Sequence, residues 1–165
     1  MATLLLIRHG PAEDHRPGHA DAARALTPEG RGRTRAAMKG LVARGLAPDR
    51  GLSSPYRRAV ETMDCLAEAA AEATGKVFPM ESWEGLQPDG DPAAAEAWLR
   101  DRAAAAGAGA RLAVTSHEPF LSLLIARLTG RRVDVKKASC TVVEWRPEGW
   151  RFVEHLRPSD LRGEA

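Results

Sequence analysis

Residues 4–10, LLLIRHG, decide the fold: four consecutive apolar residues are followed by an arginine, a histidine and a glycine. The apolar run predicts a strand over residues 3–7 that is buried on both faces, as in a parallel sheet covered by helices. Residues 111–117, RLAVTSH, have the same form, with a buried strand predicted over residues 112–115. After each of the two strands, one residue intervenes and a histidine follows.

The rest of the chain alternates strands with helices. A capping residue followed by proline predicts the start of three helices, at Thr27-Pro28, Ser54-Pro55 and Asp91-Pro92. Helices are predicted over residues 28–44, 55–74, 92–107 and 118–130, and further strands over residues 50–53, 76–80, 139–145 and 150–156. This order predicts an α/β protein, a three-layer sandwich with a mainly parallel central sheet flanked by helices and a C-terminal antiparallel hairpin. We expect one domain over residues 1–165, with a frayed tail after about residue 157.

Composition excludes several classes of protein. The 165 residues are 44% apolar and 28% charged, with a formal net charge of +2, so no overall field favours nucleic acid. No apolar run approaches the roughly 20 residues of a membrane span, and residues 1–7 lack the features of a signal peptide. Cys65 and Cys140 have neither metal-site nor disulfide-framework spacing. A cytoplasmic, reduced protein is expected, without partners among membranes or nucleic acids.

Three predicted strand ends bring basic side chains to one edge of the sheet. They supply Arg8 with His9, Arg57 with Arg58, and His117. Ligands of open α/β sheets bind at the carboxyl ends of the strands, and a helix N-terminus there favours an anion. Arginine forks bind phosphate oxygens in pairs, and a neutral imidazole can attack phosphorus. The edge therefore suits a phosphoryl group.

Four motifs carry a resemblance to a known family. The segments LLLIRHG, LTPEG, LSSPYRRAVET and VTSHEP occur in this order. Together they resemble the signature of the histidine phosphatase superfamily, also called phosphoglycerate mutase-like, over the chain from its start to about residue 130.

The resemblance implies a role for four residues. His9 matches the nucleophile that becomes phosphohistidine, Arg8 and Arg58 match the two phosphate-binding arginines, and His117 matches the second histidine. Arg58, not Arg57, fits the family spacing S-P-x-x-R-A-x-x-T. No metal or cofactor is implied. We expect charge repulsion from the neighbouring cations to lower the pKa of His9 and keep it neutral.

The short bacterial phosphohistidine phosphatases of the SixA type are the most similar members. Larger members carry a glutamate that protonates the leaving oxygen, but here the corresponding stretch, residues 86–91, reads LQPDGD with Pro88 at that place. An imidazole leaving group needs less protonation. The short stretch between Arg58 and His117 leaves little room for a cap subdomain. The resemblance implies a phosphatase for protein phosphohistidine in a bacterial phosphorelay.

For several other residues the sequence supports a purely structural role as well as a functional one. His15 and His19 lie in a polar loop, where histidines are usually solvated, and Arg57 is a rim contact or a solvated helix residue. Carboxylates in turns or at helix starts are Glu13, Asp14, Asp89, Asp91 and Glu118. The tryptophans Trp83, Trp98, Trp145 and Trp150 are interpreted as packing residues. Arg131, Arg132, Lys136 and Lys137 form a basic surface run that is either solvated or open to an acidic partner.

Two alternatives to the phosphohistidine phosphatase stay open. One is a broad small-molecule phosphomonoesterase. The other is a module that binds a phosphate ligand with little turnover, because the sequence identifies no acid. The sequence leaves the substrate, the acid and the oligomeric state undecided.

Overall fold

The computed structural model describes residues 1–164. The strands are β1 (Ala2–Arg8), β2 (Arg50–Ser53), β3 (Met80–Ser82), β4 (Arg111–Ser116), β5 (Cys140–Arg146) and β6 (Gly149–Leu156). The helices are α1 (Pro28–Ala43), α2 (Arg57–Thr74), α3 (Pro92–Ala106), α4 (Phe120–Thr129) and α5 (Pro158–Leu161). Short 3₁₀ turns occupy Asp21–Ala23 and Glu84–Leu86.

All six strands form one sheet in the order β3-β2-β4-β1-β5-β6. The strands β3, β2, β4 and β1 are parallel to one another, whereas β5 pairs antiparallel with both β1 and β6. The predicted α/β class, the mainly parallel sheet and the C-terminal hairpin are confirmed.

The core lies on both faces of this sheet. Successive side chains of β1 alternate between faces, so Leu5 and Ile7 pack with α1, α2 and α5, while Leu4 and Leu6 pack with α3 and α4. All four are at most 1% exposed. This two-sided burial explains why the strand is a continuous apolar run, and it makes the sheet the middle layer of three.

The strand register brings three chain segments level at the carboxyl edge of the sheet. Arg8 is paired with Ser116, and Ser53 is paired with Thr115. The residues that follow these pairs, His9, Ser54 and His117, therefore leave the sheet side by side.

Three element starts differ from the sequence-based expectation by two residues or more, and one of them is that of α4, which begins at Phe120 rather than at residue 118. α2 begins at Arg57, because the Ser54 amide still donates to the Thr115 carbonyl as a continuation of strand pairing. β3 covers Met80–Ser82 rather than residues 76–80, because Phe78 turns into the core and Met80 pairs with Gly51.

The expectation of a frayed tail after residue 157 is wrong for the turn that follows. The Asp160 carboxylate accepts hydrogen bonds from the amide and from the guanidinium of Arg157, each at 3.0 Å, at the start of α5. Leu161 is 3% exposed and joins the core beside α1. Gly40 permits this packing, since a Cβ there would lie 1.6 Å from the Leu161 carbonyl oxygen.

Cys65 and Cys140 are buried free thiols. None of the helices in residues 1–164 combines the length and apolar character that crossing a bilayer requires.

Candidate active site

His9 lies just beyond β1 with its two ring nitrogens in different surroundings. Nδ1 is 2.7 Å from the Gly10 carbonyl oxygen, and Nε2 is 3.3 Å from Nε of Arg58. A carbonyl only accepts hydrogen bonds, so Nδ1 carries the proton. Nε2 is therefore left with a lone pair, which faces Arg58.

Gly10 is required by a close approach between β1 and α1. A Cβ at this position would lie 1.8 Å from Oγ1 of Thr34, whose hydroxyl donates to the Gly30 carbonyl inside α1. The Gly10 amide in turn donates to Oγ1 of Thr62 in α2. The carbonyl that orients His9 is consequently held between two helices.

Arg58 is only 3% exposed and is held by the loop that follows His9. Its Nη1 donates to the Asp21 carbonyl at 2.8 Å, and its Nη2 lies 3.2 Å from the Asp21 carboxylate. Arg24 contacts the same carboxylate through Nε at 2.7 Å. Asp21 thus holds two guanidinium groups at the site.

His117 is 1% exposed, and its ring centre lies 5.2 Å from that of His9. Its Nε2 is 2.7 Å from Oγ of Ser54, which also accepts a hydrogen bond from the Tyr56 amide. Its Nδ1 has no hydrogen-bond partner within residues 1–164. The Ser54 hydroxyl that the sequence indicated as a helix cap therefore serves His117.

Both histidines are neutral at ordinary pH. Burial lowers the pKa of His9 to about 4 against the opposing hydrogen bond to Gly10, with a smaller lowering by Arg58 and Arg8. Burial also lowers the pKa of His117 to about 3, helped by His9 and Arg58. The pKa of His9 is lowered, as the sequence predicted, but burial contributes more to this lowering than the charge repulsion that we expected to cause it.

A pocket of about 250 Å³ joins the four predicted residues. It is lined by Arg8, His9, Arg58 and His117, together with Ala12, Asp14, Arg24, Glu118 and Lys137. Four basic side chains and two neutral imidazoles thus face one cavity, which suits a tetrahedral anion.

The other basic candidates lie elsewhere. Arg57 is exposed and pairs with Glu61 at 3.6 Å. His15 is exposed, and His19 lines a separate small cavity with Glu13 and Arg16.

Two of the five carboxylates considered in the sequence analysis line the pocket. Asp89 is exposed and Asp91 caps α3 through the Ala93 amide, so neither lines the pocket. Asp14 and Glu118 do line it, although Glu118 also accepts a hydrogen bond from the Ser122 amide at the start of α4. Pro88 does not line the pocket either.

Sequence reasoning missed Arg24 and Asp21, because they lie in what was interpreted as a plain polar loop. The sequence does contain a signal for them: Asp21 and Arg24 are three residues apart, and opposite charges at this spacing can form a local ion pair. The tryptophans pack as expected: Trp83 stacks on Trp98 at 4.3 Å, and Trp145 pairs with Trp150 across the hairpin.

The fold and site together define a class of α/β protein with paired histidines and arginines at the carboxyl edge of its sheet. The sequence model of the histidine phosphatase superfamily (branch 1) matches residues 4–90. An uncharacterized protein of Picosynechococcus is 34% identical over 139 residues, which are 82% of this chain and 80% of that protein. The chain belongs to the histidine phosphatase superfamily.

Solved structures agree with this assignment at the level of fold. The protein histidine phosphatase SixA, solved with tungstate, has a TM-score of 0.81 and 24% identity, covering 96% of this chain and 99% of that one. A phosphoglycerate mutase from Bacillus anthracis has a TM-score of 0.79 and 15% identity, covering 98% and 96%. Family and fold together support phosphatase function.

Proposed function

We propose that the protein is a phosphatase that works through a phosphohistidine on His9. The observation that carries this proposal is the unprotonated Nε2 of His9, which accepts a 3.3 Å hydrogen bond from Arg58 Nε inside a pocket lined by Arg8, Arg58 and His117. A neutral imidazole with its other nitrogen held by a carbonyl is a competent nucleophile.

The proposed reaction has two steps. Nε2 of His9 forms a bond to phosphorus as the bond from phosphorus to the leaving group breaks. Arg8, Arg58 and Arg24 stabilise the charge that develops on the phosphoryl oxygens. Water then breaks the phosphorus–nitrogen bond, which releases phosphate and restores His9. The Nδ1 proton stays on Nδ1, hydrogen-bonded to the Gly10 carbonyl, throughout. The arginines supply the positive charge, so the proposal requires no metal ion.

The proposed substrate is a protein phosphohistidine in a bacterial phosphorelay, in the cytoplasm. An imidazole leaving group suits a site in which Pro88 stands where larger family members carry their acid, and the name of the SixA structure agrees with this substrate. The alternative is a broad small-molecule phosphomonoesterase. Asp14 and Glu118 favour this alternative, because either carboxylate lies where it could protonate an alkoxide. A binding module with little turnover is the third possibility.

Replacing His9 tests the proposal. We expect His9→Ala to lower the hydrolysis of phosphoramidate and of an aryl phosphate by at least about a thousandfold, because the covalent acceptor is lost. Wild-type protein quenched during turnover should carry acid-labile, base-stable phosphate on His9, detected by mass spectrometry. The exposed His15→Ala variant is the control and should keep its rate. Near wild-type hydrolysis by His9→Ala would refute the covalent mechanism, and the absence of hydrolysis by wild type would favour the binding module.

A further inference from the structure

A second cavity, of about 310 Å³, lies beside the pocket that contains His9 and His117, which we call the phosphoryl pocket. Five of its lining residues are cations, and no carboxylate of residues 1–164 lines it; the cations are Arg8, Arg33, Lys136, Lys137 and Arg162. Arg8 and Lys137 also line the phosphoryl pocket. We call this second cavity, defined by these five residues, the basic cavity.

Four separate parts of the chain build the basic cavity, and the first of them is the end of β1, which supplies Arg8. Arg33 projects from α1, Lys136 and Lys137 precede β5, and Arg162 follows α5. The turn that orders α5 therefore also places Arg162 at the cavity wall. Arg131 and Arg132, the other half of the basic run, do not line it, and Arg131 lies over the Phe152 ring instead.

The carboxylates that partner these cations are weak competitors for an incoming anion. Lys136 pairs with Asp134 at 2.9 Å, Arg33 pairs with Glu29 at 3.7 Å, and Arg162 pairs with Glu164. These partner carboxylates are more than half exposed, and surface pairs of this kind hold their cations weakly because water competes for both charges. Lys137 forms no salt bridge with any side chain in the described part of the chain. An anion that enters the cavity therefore has to displace only weakly held, exposed carboxylates.

We propose that the basic cavity binds the acidic segment that flanks the phosphorylated residue of a protein substrate. This inference rests on the proposed function and names the substrate class more closely: a phosphohistidine protein with Asp or Glu near the phosphohistidine. The cations come from separated elements, and two of them are lysines, which act as point charges on flexible stems. That arrangement suits several carboxylates spread along a peptide. A second phosphate of a small molecule would be better matched by converging arginine forks.

Two phosphohistidine peptides of equal length test the proposal, one with glutamates beside the phosphohistidine and one with glutamines. Wild type should hydrolyse the acidic peptide with a kcat/KM about threefold to tenfold higher, through a lower KM, and 0.5 M salt should reduce this preference. The double variant Arg33→Gln with Lys136→Gln should lose the preference and keep its phosphoramidate rate. The double variant Arg131→Gln with Arg132→Gln removes equal charge outside the cavity and should keep the preference.

The outcomes separate failure of this inference from failure of the proposed function. Equal rates for the two peptides with wild type, or equal loss in both double variants, would overturn the cavity assignment. So would loss of phosphoglycerate hydrolysis in the Arg33/Lys136 variant without any change toward the acidic peptide, because the cavity would then serve a small molecule. If wild type hydrolyses neither peptide, the proposed function fails. Fluorescence anisotropy of the labelled peptides then still decides whether the acidic one binds more tightly.

Discussion

The chemistry of His9 depends on what each of its ring nitrogens touches. The Gly10 carbonyl holds the proton on Nδ1, and burial keeps the ring neutral, so Nε2 keeps its lone pair unprotonated at ordinary pH. Gly10 is needed for this because α1 passes too close for any Cβ. The histidine and the glycine that follows it are thus one functional unit.

The reactivity of the proposed enzyme toward different leaving groups depends on whether an acid reaches the pocket. The sequence interpretation puts Pro88 where larger family members carry their acid, and on that basis we expect alkyl phosphates to be hydrolysed more slowly than aryl phosphates or phosphoramidate, by about 10²–10⁴-fold. Asp14→Asn and Glu118→Gln should leave the ratio of aryl to alkyl rates unchanged, as measured by kcat with both substrates.

Asp89→Asn is the matched control, because this carboxylate is exposed and does not line the pocket. If the alkyl rate falls in the Asp14 or Glu118 variant while the aryl rate is kept, that carboxylate is an acid. The small-molecule phosphomonoesterase would then be the better description of the protein.

The turn α5 completes the helical layer on one face of the sheet. Leu161 is buried against α1, where Gly40 leaves room for its backbone. The same turn carries Arg162 to the basic cavity. Residues beyond β6 therefore contribute both packing and charge.

Shortening Leu161 should measure the contribution of α5 to stability. Leu161→Ala should lower the free energy of unfolding by about 2–3 kcal/mol, because it removes buried methyl groups and leaves a cavity. Leu123→Ala is the control, since Leu123 in α4 is 55% exposed and should change stability by less than about 0.5 kcal/mol. Denaturant unfolding measures both. Equal effects of the two variants would show that the tail is frayed after all.

The molecule as a whole owes its site to the order of its strands. β4 lies between β1 and β2, so two histidines that are 108 residues apart in the sequence meet at one edge. The position of the two histidines makes the stability of the protein depend on pH, because both rings are buried in the folded protein and exposed in the unfolded chain.

Stability should fall as the pH decreases from about 6.5. The pKa values of His9 and His117 are lowered to about 4 and about 3, so below pH 6.5 the unfolded chain binds more protons than the folded protein. The stabilisation is present above the unfolded pKa and is lost as the pH falls. At pH 5 each histidine should account for a loss on the order of 2 kcal/mol relative to pH 7.

Unfolding of His117→Asn at both pH values isolates this effect from that of the carboxylates. The stability difference between wild type and this variant should shrink by about 2 kcal/mol between pH 7 and pH 5. His15→Asn, at an exposed position, should show an unchanged difference. A constant difference for His117→Asn would mean that its pKa is not lowered.

Much of the fold could be predicted from local patterns. The apolar run before Arg8 requires a strand covered on both faces, and the Thr27-Pro28 and Asp91-Pro92 pairs mark true helix starts. Ser54-Pro55 has the same form, but α2 begins only at Arg57, because the Ser54 amide continues the strand pairing with Thr115. Local signals fail where a residue bonds to another that lies far along the chain.

The sequence by itself determined the fold class and the four residues at the centre of the site, because strand periodicity and motif spacing are properties of neighbouring residues. Only the tertiary structure decided that Asp21 holds both Arg58 and Arg24, that Asp14 and Glu118 are the pocket carboxylates, and that Leu161 is buried. It also decided that burial, more than charge, keeps His9 neutral. These features depend on distances and solvent exclusion between segments that packing alone brings together.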